Sequence, residues 1–218
     1  MISVLLMASA LNLLRVPIAA EKLPYDTELE YLKSDGNAYI DTGVLVSSDI
    51  SVYNEMYSES KTDFNTDGYY DNTQEAVIRF YRYVPWSYRD EIQLYCGTSM
   101  SYSNPPYSVQ TWHSILTDIK NKVAILDGTS YNYNYASTFT GKANLPIFAR
   151  CDVKSTGTFY YVNAVNRERI FKIWQNDVLV RDFIPVRVGS VGYMYDRVSK
   201  QLFGNSGTGA FILGPDKN

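Results

Sequence analysis

Helical periodicity is missing from almost all of this chain. Beyond Pro17 no stretch keeps apolar residues at a helical spacing. Strand and helix therefore do not alternate, which excludes a parallel sheet built on crossover helices. Histidine occurs once, at His113, and cysteine twice, at Cys96 and Cys151. A histidine-dependent nucleophile relay would have to run through His113. Its setting, Thr111 to Ile115, reads as a strand, so a structural histidine is expected. Neither cysteine sits in a CxxC spacing, which speaks against zinc. One pair in 218 residues is no disulfide framework. Two unpaired, buried thiols are expected, with pairing in an oxidising compartment as the alternative. Basic excess is also absent: 20 Lys and Arg face 23 Asp and Glu, for a net charge of -3. Such a surface repels phosphate backbones, so nucleic acid is not an expected partner. No glycine-rich phosphate loop is present.

What the chain does have is tyrosine, 20 of them against 9 Phe and 3 Trp. Tyrosine suits a half-buried pleated surface. It also offers an apolar body with a polar tip, which fits interfaces and sugar stacking. Strand signals recur from residue 28 onward with turn signals between them, the pattern of an all-β sandwich. Residues 28–32, 38–42 and 50–57 read as the first strands, with Gly43 closing the second. In 50–57 the alternation puts Ile50, Val52, Asn54 and Met56 on one face and Ser51, Tyr53, Glu55 and Tyr57 on the other. Residues 58–73 read as a long loop or an irregular hairpin. Residues 76–83 and 91–96 follow as strands. Residues 112–117 and 122–126 form a hairpin, followed by a turn at Asp127-Gly128. Residues 169–175 and 178–184 form another around Asn176-Asp177.

Residues 1–20 are apolar and carry Arg15 and Pro17. Their clean run is too short for a membrane span, which needs about 20 apolar residues. A secretory signal has its apolar stretch here but lacks the basic start. The third reading is a helix, apolar nearly all round, that docks onto neighbouring chains or onto the domain itself. The expected organisation is a docking segment or signal over 1–22 and one β domain over 23–218.

Two stretches carry a family resemblance: residues 29–43 (LEYLKSDGNAYIDTG) and residues 192–209 (GYMYDRVSKQLFGNSGTG). They resemble the opening and closing segments of a concanavalin A-like, laminin-G-like jelly-roll group found in gut Bacteroidetes and their bacteriophages. Residues 169–174 and 181–187 resemble its penultimate hairpin. The resemblance implies a two-sheet antiparallel jelly-roll sandwich whose end strands pair side by side. It also implies a tight turn at residues 205–209 that needs glycine backbone freedom. The apolar leader further resembles phage-encoded members. That implies a non-enzymatic virion structural or decoration protein with a lectin-like role. Residues 1–20 would bind other virion proteins or further copies of the chain, and the β domain would meet cell-surface polysaccharide. A secreted or periplasmic bacterial glycan-binding domain is the alternative.

Glycoside hydrolysis would need two carboxylates flanking the bond. The Glu-x-Asp-x-x-Glu pattern of related glucanases is not found, and Glu55 and Glu59 come nearest. No cofactor is expected. Asp63, Asp67, Asp71 and Asn72 offer oxygen ligands for calcium, but solvated loop acids are the preferred reading. For sugar, the expected rim is Trp86, Tyr88, Tyr131, Asn132, Tyr133 and Tyr135. Tyr69, Tyr70, Tyr102, Tyr107 and Asn134 lie in or beside similar loops. Rings would stack and amides would bond hydroxyls. The same rim could serve as a protein interface.

Overall fold

The computed structural model describes residues 22–59, 68–72, 76–84, 89–95, 102–103, 107–135, 138–162 and 165–217. Residues 1–20, with their expected docking helix, lie outside these. The described residues contain no helix and form nineteen strands. In chain order they are β1 (Thr27–Glu28), β2 (Leu32–Ser34), β3 (Ile40–Ser47), β4 (Ile50–Ser58), β5 (Gly68–Asp71), β6 (Ala76–Val84) and β7 (Arg89–Tyr95). Then come β8 (Tyr102–Ser103), β9 (Trp112–Asp118), β10 (Val123–Leu126), β11 (Thr129–Asn132), β12 (Thr140–Ile147) and β13 (Arg150–Lys154). The last are β14 (Gly157–Tyr161), β15 (Asn166–Gln175), β16 (Val178–Val188), β17 (Val191–Asp196), β18 (Gln201–Phe203) and β19 (Phe211–Leu213).

The larger sheet runs β11-β10-β9-β4-β15-β16-β17-β18, with β1 on β16 and β2 joining β15 to β19. A six-stranded sheet runs β14-β13-β5-β6-β7-β8, and β12 pairs with β3. One hydrophobic core joins them. From the larger sheet come Ile50, Val52, Met56, Ile115, Phe171, Ile173 and Phe183. Tyr69, Ile92, Leu94, Cys151 and Val153 face them from the smaller one, and Ile40, Val46, Leu145 and Ile147 from β3 and β12. The alternation read from 50–57 holds: Ile50, Val52, Asn54 and Met56 are all fully buried. The Asn176-Asp177 hairpin also forms, and both turn residues take the positive φ that such turns require.

The end strands pair as expected, β19 running antiparallel to β2 with Leu213 opposite Leu32. The loop at 205–209 knits this seam. Asn205 Oδ1 accepts the backbone N–H of Tyr39 (3.1 Å) and of Gly207 (2.7 Å), while Asn205 Nδ2 donates to the Gly209 carbonyl (2.7 Å). Its glycines are required for room rather than for backbone freedom. A Cβ on Gly207 would lie 2.1 Å from the Asn37 carbonyl oxygen, and one on Gly209 would lie 2.3 Å from Asp35 Oδ1.

Two expectations need correction, the end of a strand at Gly43 and the wholly antiparallel pairing. The strand thought to close at Gly43 passes through it to Ser47. Asp41 Oδ1 holds the Gly43 N–H (2.8 Å) and only that residue takes a positive φ, so Val44 and Val46 continue into the core. Of the two readings for 58–73 the irregular hairpin is the nearer, since β5 forms there, pairs antiparallel with β6 and buries Tyr69 fully. The Asp127-Gly128 turn after β10 forms as expected and leads into β11. One pair, β13 on β5, is parallel. The chain between those strands is long enough for the crossover that a parallel pair requires.

A candidate binding cleft on the outer face of the larger sheet

β9, β4 and β15 are neighbours, and alternate side chains on each turn away from the core. On β4 the outward set is Ser51, Tyr53, Glu55 and Tyr57. Tyr57 lies opposite Trp112 of β9 on one side and Arg167 of β15 on the other. The β15–β4 register slips between Glu168 and Ile170, so Arg169 is the extra residue of a β-bulge. The bulge resets the phase of β15. Phe171 and Ile173 reach the core, while Arg167, Arg169 and Ile170 line the outer face.

Three rings gather there. The Trp112 centroid is 5.6 Å from Tyr57 and 6.2 Å from Tyr31. The Arg167 guanidinium lies 4.5 Å from the Tyr57 centroid and 4.7 Å from that of Tyr31, and Arg169 lies 4.6 Å from Trp112. The cations are thus held by ring faces. Carboxylates fix them further. Glu59 Oε1 accepts from Lys33 Nζ (2.8 Å), Arg167 Nε (2.9 Å) and Arg167 Nη2 (2.8 Å). Glu55 accepts from Arg169 Nε and from the Tyr53 hydroxyl (2.6 Å). Burial pulls the Glu59 carboxyl upward, but the Lys33 and Arg167 bonds outweigh it and hold the group below its usual range. Burial, then the Glu55 bond and charge, push Tyr53 up to about 12, so its hydroxyl keeps the proton it donates.

These groups border a cavity of about 480 Å³ lined by Glu30, Tyr31, Trp112, Arg167, Arg169 and Lys217. Charge around it balances. Lys33, Arg167, Arg169 and Lys217 stand against Glu28, Glu30, Glu55 and Glu59, with Lys217 Nζ 3.6 Å from Glu28. Half-buried rings beside planar donors and acceptors can take an apolar ring face and bond the hydroxyls on its rim.

Glu55 and Glu59 do fall in this cleft, but they are not arranged for bond cleavage. Glu55 is bonded to Arg169 and Tyr53, and Glu59 to Lys33 and Arg167, whereas glycoside hydrolysis needs two carboxyls that flank the bond. A general acid also needs a raised pKa, whereas Glu59 is pulled down by its cations.

His113 points inward and is nearly buried. Its Nδ1 lies 2.5 Å from Asp127 Oδ2, and its Nε2 lies 2.8 Å from the Ser108 carbonyl and 3.2 Å from Ser108 Oγ. The outline is that of a relay, but the nearest acceptor at Nε2 is a backbone carbonyl. A nitrogen donating there is not a base for the hydroxyl. His113 instead ties the 108 loop to the Asp127-Gly128 turn, with the Tyr107 ring 4.2 Å away.

Among the described residues, the rim expected from sequence does not assemble. Tyr133 and Tyr135 are core residues, their hydroxyls donating to the carbonyls of Ile92 (3.0 Å) and Ile119. Tyr131 and Asn132 belong to β11, where Tyr131 packs against the core and Asn132 is exposed. Trp86 and Tyr88 lie outside the described residues, as do Asp63, Asp67 and Cys96. Tyr107 is buried, and Tyr69 is buried with its hydroxyl on Asp71 (3.0 Å), which withdraws Asp71 from the expected acid cluster. Cys151 is buried, and burial pushes its thiol up to about 12. Sequence reasoning missed Tyr31, Trp112, Arg167 and Arg169 because it searched loops. The outward alternation of Tyr53, Glu55 and Tyr57 was the available signal.

No family model matches the chain, and no curated protein does. Among solved structures the chain is similar to a candidate carbohydrate-binding protein from Bacteroides ovatus, at 10% identity and a TM-score of 0.45, over 86% of this chain. The chain spans 60% of that protein's length. At that distance the likeness decides neither fold nor ligand, and both rest on the residues themselves.

Proposed function

We propose that the domain binds glycan without acting on it, in the cleft formed by Tyr31, Tyr57, Trp112, Arg167 and Arg169. One observation carries this reading. Three rings and two guanidiniums cluster on the solvent side of a sheet whose other side already supplies the core. Folding does not require them there, since strand faces that meet water are ordinarily polar. The Glu55 and Glu59 pairs hold the guanidiniums in fixed planes, which favours oriented hydroxyl bonding over mobile charge. Within this reading, residues 1–20 attach the domain to other virion proteins or further copies. That assignment to a phage particle comes from the leader and the family resemblance.

Trp112→Ala tests the cleft. Calorimetry with a glycan selected on an array is expected to show at least about thirtyfold weaker binding, as for a central aromatic hot spot. Unchanged affinity in a folded variant would refute the reading.

A further inference from the structure

The outer face holds a second cavity, of about 380 Å³, walled by Tyr53, Leu116 and Trp174 with Ser51 and Asp177. Leu116 lies opposite Tyr53, and Trp174 lies opposite Ser51 on the same strand β4 that carries Tyr57. Tyr53 and the Glu55–Arg169 pair fill the face between the two cavities. The order along β4 is therefore tryptophan platform at Ser51, hydroxyl at Tyr53, carboxylate and guanidinium at Glu55, and tryptophan platform at Tyr57. From 51 to 57 the strand rises about 20 Å, the reach of roughly four extended pyranose units.

We propose that this face holds the interior of a linear, neutral polysaccharide chain, laid along β4 with a tryptophan platform at each end. The inference rests on the glycan reading of the first cleft and names its ligand class. A single sugar would occupy one cavity and leave the second platform without purpose. The alternation of ring and polar pair along one axis matches a chain that shows apolar ring faces and hydroxyls in turn. The balanced charge around the first cleft argues for neutrality: its four cations pair with Glu28, Glu55 and Glu59, and Glu30 adds a fourth carboxylate to the wall. The second cavity adds only Asp177, whose carboxylate is paired with Lys120 Nζ at 2.5 Å.

Calorimetry on the full chain, with ladders of neutral glucan, xylan and mannan oligosaccharides from disaccharide to hexasaccharide, tests this. Affinity is expected to climb about tenfold once a chain spans both platforms, the worth of one stacked ring. Trp174→Ala should erase that climb while leaving short oligosaccharides bound as before, and Trp112→Ala should weaken every length. Leu116→Asn, a smaller change in the same cavity, repeats the test if the tryptophan variant fails to fold. Affinity independent of length, or a climb that survives in both variants, overturns the two-platform chain but leaves the first cleft standing. Absence of binding at every length removes the cleft reading and this inference together. A preference for uronic-acid chains or for an extended peptide overturns the neutral-chain assignment.

Discussion

Tyr133 separates the account given by the structure from the one suggested by loop composition. If Tyr133 belonged to an exposed sugar-binding rim, removing its ring would cost binding and little stability. In the structure it is nearly buried, packs within the main core and donates to the Ile92 carbonyl at 3.0 Å. Tyr133→Phe keeps the ring and loses one buried hydrogen bond, worth about 1 kcal/mol. For a domain of this size that lowers Tm by about 2–4 °C. Tyr133→Ala removes the ring as well and should cost about 3–5 kcal/mol, on the order of 10 °C. Thermal unfolding followed by circular dichroism reads both variants. Calorimetry on the surviving Phe variant should find glycan affinity unchanged. An Ala variant as stable as the parent that no longer binds would refute the placement of Tyr133 in the core.

Gly209→Ala should lower stability by about 1–3 kcal/mol, because its Cβ would meet the Asp35 carboxylate that holds the Asn37 and Ala210 N–H groups. A urea midpoint equal to the parent's would show that this turn is not closed as described. Thr117→Val should stabilise by about 1 kcal/mol, since the Thr117 hydroxyl is fully buried with no hydrogen-bond partner among the described residues. A lower midpoint in that variant would mean the hydroxyl has a partner, such as an ordered water. The folded pKa of Glu59 lies below its ordinary 4.5, so its contribution is present above that value and lost as pH falls through the folded one. Glycan affinity should therefore drop only once pH falls through that lowered folded value, and Glu59→Gln should bind more weakly at neutral pH with a flatter acid limb. An identical acid limb in that variant would contradict the Lys33–Glu59–Arg167 arrangement.

Much of the sandwich was legible because one-sided burial writes itself into alternation. Residues 50–57 announce both faces of β4, and the 169–184 stretch announces its hairpin through the Asn176-Asp177 turn. The parallel pairing of β13 with β5 was not legible. It depends on two strands far apart in sequence, and four-residue β5 sits amid residues of loop character. The binding face was missed for a related reason. Ring-rich segments between strands look exposed in sequence, yet Tyr107, Tyr133 and Tyr135 turn inward to fill the core. The cleft itself joins Tyr31, Tyr57, Trp112 and Arg167, which only strand pairing brings together. The bulge at Arg169, which completes it, has no glycine or proline to mark it in the sequence.

The chain contains three tryptophans, Trp86, Trp112 and Trp174, so an NMR spectrum of indole N–H groups carries three side-chain signals to assign by substitution. Titration with the best-binding oligosaccharide long enough to span the sheet face should shift the Trp112 and Trp174 signals. Movement of Trp86 alone, with Trp112 undisturbed, would contradict a glycan-binding site on the outer face of the larger sheet.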